Sequence, residues 1–341
     1  MNGPSSVSLL EAMIRANAFT RFQAKYVDLL PEESKRAVAS RDFLIEQIKN
    51  QASENWHFPT VTGEFLPYGS FARKTKIRPL NDIDILVVLA GNGTMAQPSS
   101  NDPNTWWLKI TNPAAPLAAF PDAYGFVNST KVLNAIKDGL LKVKSYRKAD
   151  LKKNMQAVVV DLSSYAWNFD VVPAVPIGRS LSEISYYLIP DGTGDWQRTD
   201  PRIDSQLIAR RHAETNQLFR PLCRLLKYWN NRTSKPVLPS YYFEILVLRV
   251  FQNRSITSLK QGILDFFTHA PASLYQACPD PKGLGKNLDV GVDLLTKFKV
   301  GSAMQAAQKA VTSAIVLGPV RGMERYELDG WQKVFGPEYV T

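Results

Sequence analysis

Polar and apolar positions alternate in a few short stretches of this chain and recur at helical spacing through much of the rest. The clearest alternation is Asp82-Ile83-Asp84-Ile85, which runs on into Leu86-Val87-Val88-Leu89. A strand's two-residue period sends Asp82 and Asp84 to one face and Ile83 and Ile85 to the other. Gln156 to Leu162 and Asn168 to Val175 have the same strand character, and Ser163-Ser164-Tyr165-Ala166-Trp167 between them is a hairpin-length turn, so both are expected beside the Asp82 strand. Residues 54 to 68 read as a shorter strand. Helical spacing covers Leu9 to Tyr26, Ser129 to Lys142, and Pro31 to Asn50, where Ala37, Phe43, Leu44 and Ile48 recur behind the starting signal Pro31-Glu32-Glu33.

Two segments break the pattern. Gly91 to Thr105 clusters Gly, Pro, Ser and Asn and reads as a loop, and Ser180 to Thr199, with Asp191-Gly192-Thr193-Gly194-Asp195, reads as a turn-rich connection. From Asp204 the pattern is mainly helical to the end. The expectation is an α+β fold: a sheet lobe with N-terminal helices over residues 1–200 and a helical lobe over 201–341, with no internal repeat.

Composition narrows the partners. With 341 residues, 45% of them hydrophobic, the chain can bury substantial cores and is not disordered as a whole. A formal charge of +10, from 41 basic and 31 acidic residues, favours polyanionic partners. Lys142, Lys144, Arg147, Lys148, Lys152 and Lys153 concentrate some of it on what reads as a solvated face. Two cysteines, Cys223 and Cys278, give no disulfide framework, and His57, His212 and His269 have no zinc-ligand spacing. Met1 to Ser8 lacks the features of a secretory leader and no apolar run is long enough to span a bilayer, so a cytoplasmic protein without membrane contact is expected.

Candidate chemistry gathers at the first strand. Two carboxylates on one face repel each other unless a divalent, oxygen-preferring cation sits between them. Ahead of it, with eleven residues between, Tyr68-Gly69-Ser70 offers a close backbone approach, a hydroxyl and an N–H suited to phosphate oxygens, followed by Arg73, Lys74, Lys76 and Arg78. That order suits a nucleoside triphosphate with Mg²⁺. Either Asp161 or Asp170 could add a third carboxylate. On a helix from Pro221, Leu222, Leu225, Leu226 and Trp229 share one stripe, which leaves Arg224 and Lys227 on the other side, Lys227 free to reach a cleft. Ser240 reads as the N-cap of the next helix, whose start would favour phosphate. Gly283-Leu284-Gly285-Lys286-Asn287 is too short for a P-loop and lacks its final Ser or Thr.

Gly69-Ser70, the basic spacer and the Asp-x-Asp strand together resemble the polymerase-β-like nucleotidyltransferase signature. The Phe-Asp-Val-Val-Pro-Ala setting of Asp170 is similar to that family's third-carboxylate strand, and this resemblance is what selects Asp170 over Asp161. Arg-Leu-Leu-Lys-Tyr-Trp at 224–229 and Leu-Pro-Ser-Tyr-Tyr-Phe-Glu at 238–244 resemble the helical lobe of oligoadenylate synthases, cyclic GMP-AMP synthase and their bacterial relatives. Trp331 to Gly336 looks like the end of that lobe. Without a zinc insertion or long RNA-binding extensions, the chain looks most like the cGAS/DncV-like nucleotidyltransferases of bacterial CBASS antiphage operons.

The resemblance implies two lobes around a central cleft and synthesis of a cyclic di- or trinucleotide, or a short oligonucleotide, from ATP, GTP or pyrimidine triphosphates. It implies two Mg²⁺ ions, with Mn²⁺ as substitute, on Asp82, Asp84 and Asp170, and nucleotide contacts from Gly69, Ser70, Lys227, Ser240 and Tyr241, the tyrosine stacking on a base. A monomer, a regulatory protein partner and a separate effector answering to the product are expected with it. Activation by nucleic acid, transfer to an RNA end or a small molecule, and a non-catalytic nucleic-acid-binding module on the same fold stay open at this point.

Overall fold

A computed structural model describes residues 18–178, 183–232, 234–320, 322–323 and 325–340. The first part of the helix expected over Leu9–Tyr26 lies outside the described residues. From residue 18 the chain is helical and passes into a π turn at Gln23–Val27.

Helix α1, Pro31–Glu54, starts at the expected proline and buries Ala37, Leu44 and Ile48. Phe43 departs from the expected stripe: it is 47% exposed and meets Tyr146 edge-on at the rim. Strand β1, Val61–Pro67, leads through the short helical turn α2, Gly69–Ala72, to β2, Asp82–Leu89. Helix α3 spans Ser129–Lys142 as its periodicity predicts, with the Asn128 side chain accepting the N–H of Lys131 as its cap.

Both segments read as irregular contain strands. Within Gly91–Thr105 lies β3, Thr94–Pro98, paired antiparallel with β4, Thr105–Ile110. Thr-Met-Ala-Gln-Pro carries little strand propensity, and β3 forms at the sheet's edge, the position where a terminal proline is tolerated. After β5, Asp150–Asn154, β6, Ala157–Asp161, and β7, Asn168–Gly178, the second irregular segment contains β8, Ile184–Pro190, and β9, Trp196–Thr199. Residues 180–182 lie outside the described residues, and between the two strands Asp191–Asp195 forms a turn, where Asp191 Oδ1 accepts from the N–H groups of Thr193 and Asp195.

The sheet runs β1-β2-β7-β8-β9-β4-β3, with β6 joined to β7 and β5 to β6. Strands β2 and β7 are parallel, in a register that sets Asp82 beside Asn168 and Asp84 beside Asp170. One face of the sheet, with Ile83, Ile85, Val87 and Leu89, is covered by α1 and α3. The other carries Leu86, Val88, Val172 and Ala174.

Helices α4, Pro201–Glu214, α5, Phe219–Asn230, α6, Ser240–Val250, α7, Leu259–Ser273, α8, Leu294–Val316, and α9, Arg325–Phe335, surround a second core. Leu222, Leu225, Leu226 and Trp229 all enter it, each burial worth about 2 kcal/mol. Phe19, Phe22 and Val27 belong to this same core, with Phe19 against Trp331 and Phe22 against Phe335. The segment before α1 therefore packs on the helical lobe, although its sequence position places it with the sheet lobe. Among the described residues, no helix is long and apolar enough to cross a membrane.

Candidate active site

Asp82 and Asp84 are on β2 because strand alternation gives Ile83 and Ile85 to the core beneath, leaving both carboxylates on the opposite face. The parallel register with β7 brings Asp170 beside Asp84, so groups 86 positions apart in the chain become neighbours. Burial pushes the Asp84 carboxyl up to about 6, reinforced by the charges of Asp82 and Asp170 and opposed by Lys76 and Arg73. Asp170 is also raised, by burial first and by Asp82 second. Asp161, the alternative third carboxylate, is exposed at the end of β6, on the far side of β7 from β2.

The turn before β2 presses on this cluster. Gly69 has φ +71°, and a Cβ there would lie 1.7 Å from Asp84 Oδ2. Only glycine permits that approach. The Ser70 carbonyl accepts the N–H groups of Thr75 and Lys76, which folds the basic spacer back under the turn. Lys76 then ion-pairs with Asp82.

Among the described residues, no group of three His, Cys, Asp or Glu side chains stands poised to hold a metal ion. Asp82 is engaged by Lys76 instead. The donor chemistry nevertheless fits a hard divalent cation: all three groups are carboxylates, and two of them are raised in pKa by burial and by acidic neighbours, a repulsion that such a cation relieves.

The helical-lobe residues differ from expectation in their surroundings. Lys227 is not free on an outer face: it is 4% exposed, with Nζ 3.2 Å from Glu244 Oε2. The side of α5 opposite its apolar stripe faces a buried polar seam between the lobes, so the periodicity was right about direction and wrong about exposure. Arg224 is tied down by Asp28 at 2.7 Å and by the Lys74 carbonyl at 2.9 Å. Ser240 is not the N-cap; Pro239, extended at φ −51° and ψ 133°, holds that position, and Ser240 is exposed as the first residue of α6. Tyr241 follows it and donates its hydroxyl to Asp204 Oδ1 at 2.7 Å, while Lys282 Nζ stands 4.3 Å from the ring centre.

A cavity of about 580 Å³ opens between the lobes, with Tyr68 and Thr199 on the sheet side and Tyr241, Asp280, Lys282 and Lys286 on the helical side. That volume suits a small-molecule ligand. The three aspartates do not line it; Tyr68, directly before Gly69, connects the two, its phenol pushed up to about 12 by burial and then by Asp84.

This architecture is shared with solved enzymes. The Escherichia coli MS115-1 CdnC, solved with HORMA-deltaN, superposes with a TM-score of 0.67 at 18% identity over 95% of this chain and 98% of its own. The Vibrio cholerae cyclic AMP-GMP synthase DncV, a prokaryotic cGAS homologue, does so with a TM-score of 0.67 at 12% identity over 95% and 96%. No protein-family model matches the sequence. A probable cyclic nucleotide synthase of Bacillus cereus (strain VD146), IK1_05630, is 35% identical over 330 residues, 95% of this chain and 97% of that protein. The chain belongs to the cGAS/DncV-like nucleotidyltransferases.

In this nucleotidyltransferase, the sequence reading passed over Glu244, Lys282 and Asp204, all of which lie against residues it did select. Glu244 had a readable signal. It stands within Tyr241-Tyr242-Phe243-Glu244-Ile245-Leu246-Val247, where a charge in an unbroken apolar run must be buried and therefore paired. Lys282 had none: Asp280 is its near neighbour in the chain, but Asp204, its other partner, meets it only in the fold.

Proposed function

We propose that this nucleotidyltransferase joins nucleoside triphosphates into a cyclic di- or trinucleotide that serves as a second messenger in antiphage defence. What carries the reading is the seating of Gly69 against Asp84, on the strand beside Asp170, directly after Tyr68, which lines the lobe-to-lobe cavity. A phosphate-gripping turn and a carboxylate cluster are in contact there, as transfer at an α-phosphate demands.

Asp82, Asp84 and Asp170 would hold two Mg²⁺ ions, which supply Lewis-acid stabilisation of phosphate charge and lower the pKa of an attacking ribose hydroxyl. The remaining work belongs to the chain. The Gly69 backbone and Ser70 hydroxyl bind the phosphates of the donor. Lys227 and the N-terminus of α6 at Ser240 balance the charge of the tail as pyrophosphate departs. Asp170 assists removal of the hydroxyl proton, and Tyr241, fixed through Asp204, flanks a base. A second transfer within the product closes the ring. The name of the Bacillus relative and the DncV likeness support a cyclic product, and the CdnC–HORMA complex supports a regulatory protein partner.

The test is mass spectrometry of the phosphatase-resistant product formed from the four triphosphates with Mg²⁺, run beside Asp84→Asn. A cyclic product made only by the wild type supports the reading. Transfer confined to an added RNA end or small molecule, or no turnover by the wild type, overturns it.

A further inference from the structure

One carboxylate of the helical lobe reaches the pieces assigned above to the triphosphate. Glu244, on α6 one turn after Ser240, has no exposed surface. It accepts from Arg73 Nε at 2.6 Å, from Thr75 Oγ1 at 2.7 Å and from Lys227 Nζ at 3.2 Å. Arg73 and Thr75 also close the phosphate-gripping turn, donating their backbone N–H groups to the carbonyls of Gly69 and Ser70. The Arg73 guanidinium stands 5.4 Å from the centre of the Tyr241 ring.

The charges of this seam are buried. Arg73, Lys227 and Glu244 are each less than 10% exposed, and Arg73 also faces the carboxylates of Asp204 and Asp84. The two shorter bonds go to the turn and the longest to Lys227. Glu244 thus fixes the turn firmly and orients Lys227.

We propose that Glu244 is a positioning residue for nucleotidyl transfer, holding the Gly69–Ser70 turn, Lys227 and, through Arg73, the Tyr241 ring in one register across the two lobes. The proposal rests on the assignment of Gly69, Ser70 and Lys227 to the triphosphate. It differs from simple packing in the kinetic constant it affects. Glu244→Gln leaves Arg73 and Lys227 in place, so attraction for the triphosphate persists. What is lost is geometry, and misplacement of about 1 Å costs up to about a hundredfold in rate.

The experiment compares the full-length wild type, Glu244→Gln and Thr75→Val below each protein's melting temperature. It measures steady-state product formation from nucleoside triphosphates with Mg²⁺ and binding of a non-hydrolysable triphosphate. Expected for Glu244→Gln is a kcat lower by about 30- to 100-fold, with KM and triphosphate affinity within about threefold of wild type. Thr75→Val, which removes one bond without unbalancing charge, should lower kcat by about 3- to 10-fold in the same pattern. Folded variants with kcat within about twofold of wild type, or a loss confined to KM and affinity, overturn the proposal. If Glu244→Gln does not fold, Thr75→Val decides by the same criteria. A wild type that forms no product from any triphosphate overturns the underlying assignment, whereas wild-type turnover matched by both variants removes only the role of Glu244.

Discussion

Two clusters of charge lie on either side of the Gly69–Ser70 turn, and they are built on opposite principles. At β2 and β7, Asp82, Asp84 and Asp170 gather charge of one sign, and burial with mutual repulsion raises the pKa of Asp84 and Asp170. At the lobe junction, Glu244 is more deeply buried, yet its pKa is lowered: burial pushes it up, but Arg73 and Lys227 pull it down further. A carboxylate raised on folding opposes the fold above its ordinary range, and one lowered on folding supports it there. The first cluster keeps three carboxylates together against the partial compensation of Lys76 and Arg73. The second carries its counter-charges within the chain and serves to hold position.

The comparison breaks most sharply at the carboxylates. Asp84→Asn should lower product formation by about a thousandfold while leaving the far-ultraviolet circular dichroism unchanged. A fold that collapsed instead would put the β2–β7 cluster in the structural class. Gly69→Ala should come next, because a side chain at φ +71° would strike Asp84. Activity should fall by about a hundredfold and unfolding free energy by about 1–3 kcal/mol, read from paired kinetics and denaturant melts.

Acid separates the two clusters by sign. Glu244 stabilises the fold fully above the ordinary carboxylate range, and that contribution disappears as pH falls through its lowered folded value. Below about pH 5 the wild-type melting temperature should therefore drop more steeply than that of Glu244→Gln, by up to about 2 °C per pH unit. Parallel slopes would show that the ion group does not support the fold. The smallest effect belongs to Asp161→Asn. This exposed side chain, on the far side of β7 from β2, should keep activity within about twofold of wild type, against a large loss for Asp170→Asn.

Much of the sheet's inner part was readable along the chain, because β2, β6 and β7 carry dense β-branched runs whose period also assigns Asp82 and Asp84 to one face. Strands β3, β8 and β9 were not, since Gly, Pro and Asp dominate their surroundings and their order comes from pairing with neighbours distant in sequence. Helix α5 showed its apolar stripe plainly. Its opposite side, however, meets Glu244 through Lys227, in a seam where Glu244 also accepts from Arg73 and Thr75, and periodicity cannot distinguish a solvated polar face from a buried polar seam. Ser240 lost its expected cap position to Pro239 by a single residue, within the ordinary uncertainty of helix ends.

The sequence alone determined the elements with strong period, the pair of acids on one strand, the glycine and serine ahead of them, and a lysine turned away from an apolar stripe. These follow from local rules of side-chain direction and backbone freedom, which act over a few residues. Only the tertiary structure decided that Asp170 stands beside Asp84, that Gly69 closes on it, and that Glu244 binds both lobes. Those meetings depend on the parallel register of β2 with β7 and on the packing of two separate cores, and both are set by contacts across long stretches of chain that no local pattern encodes.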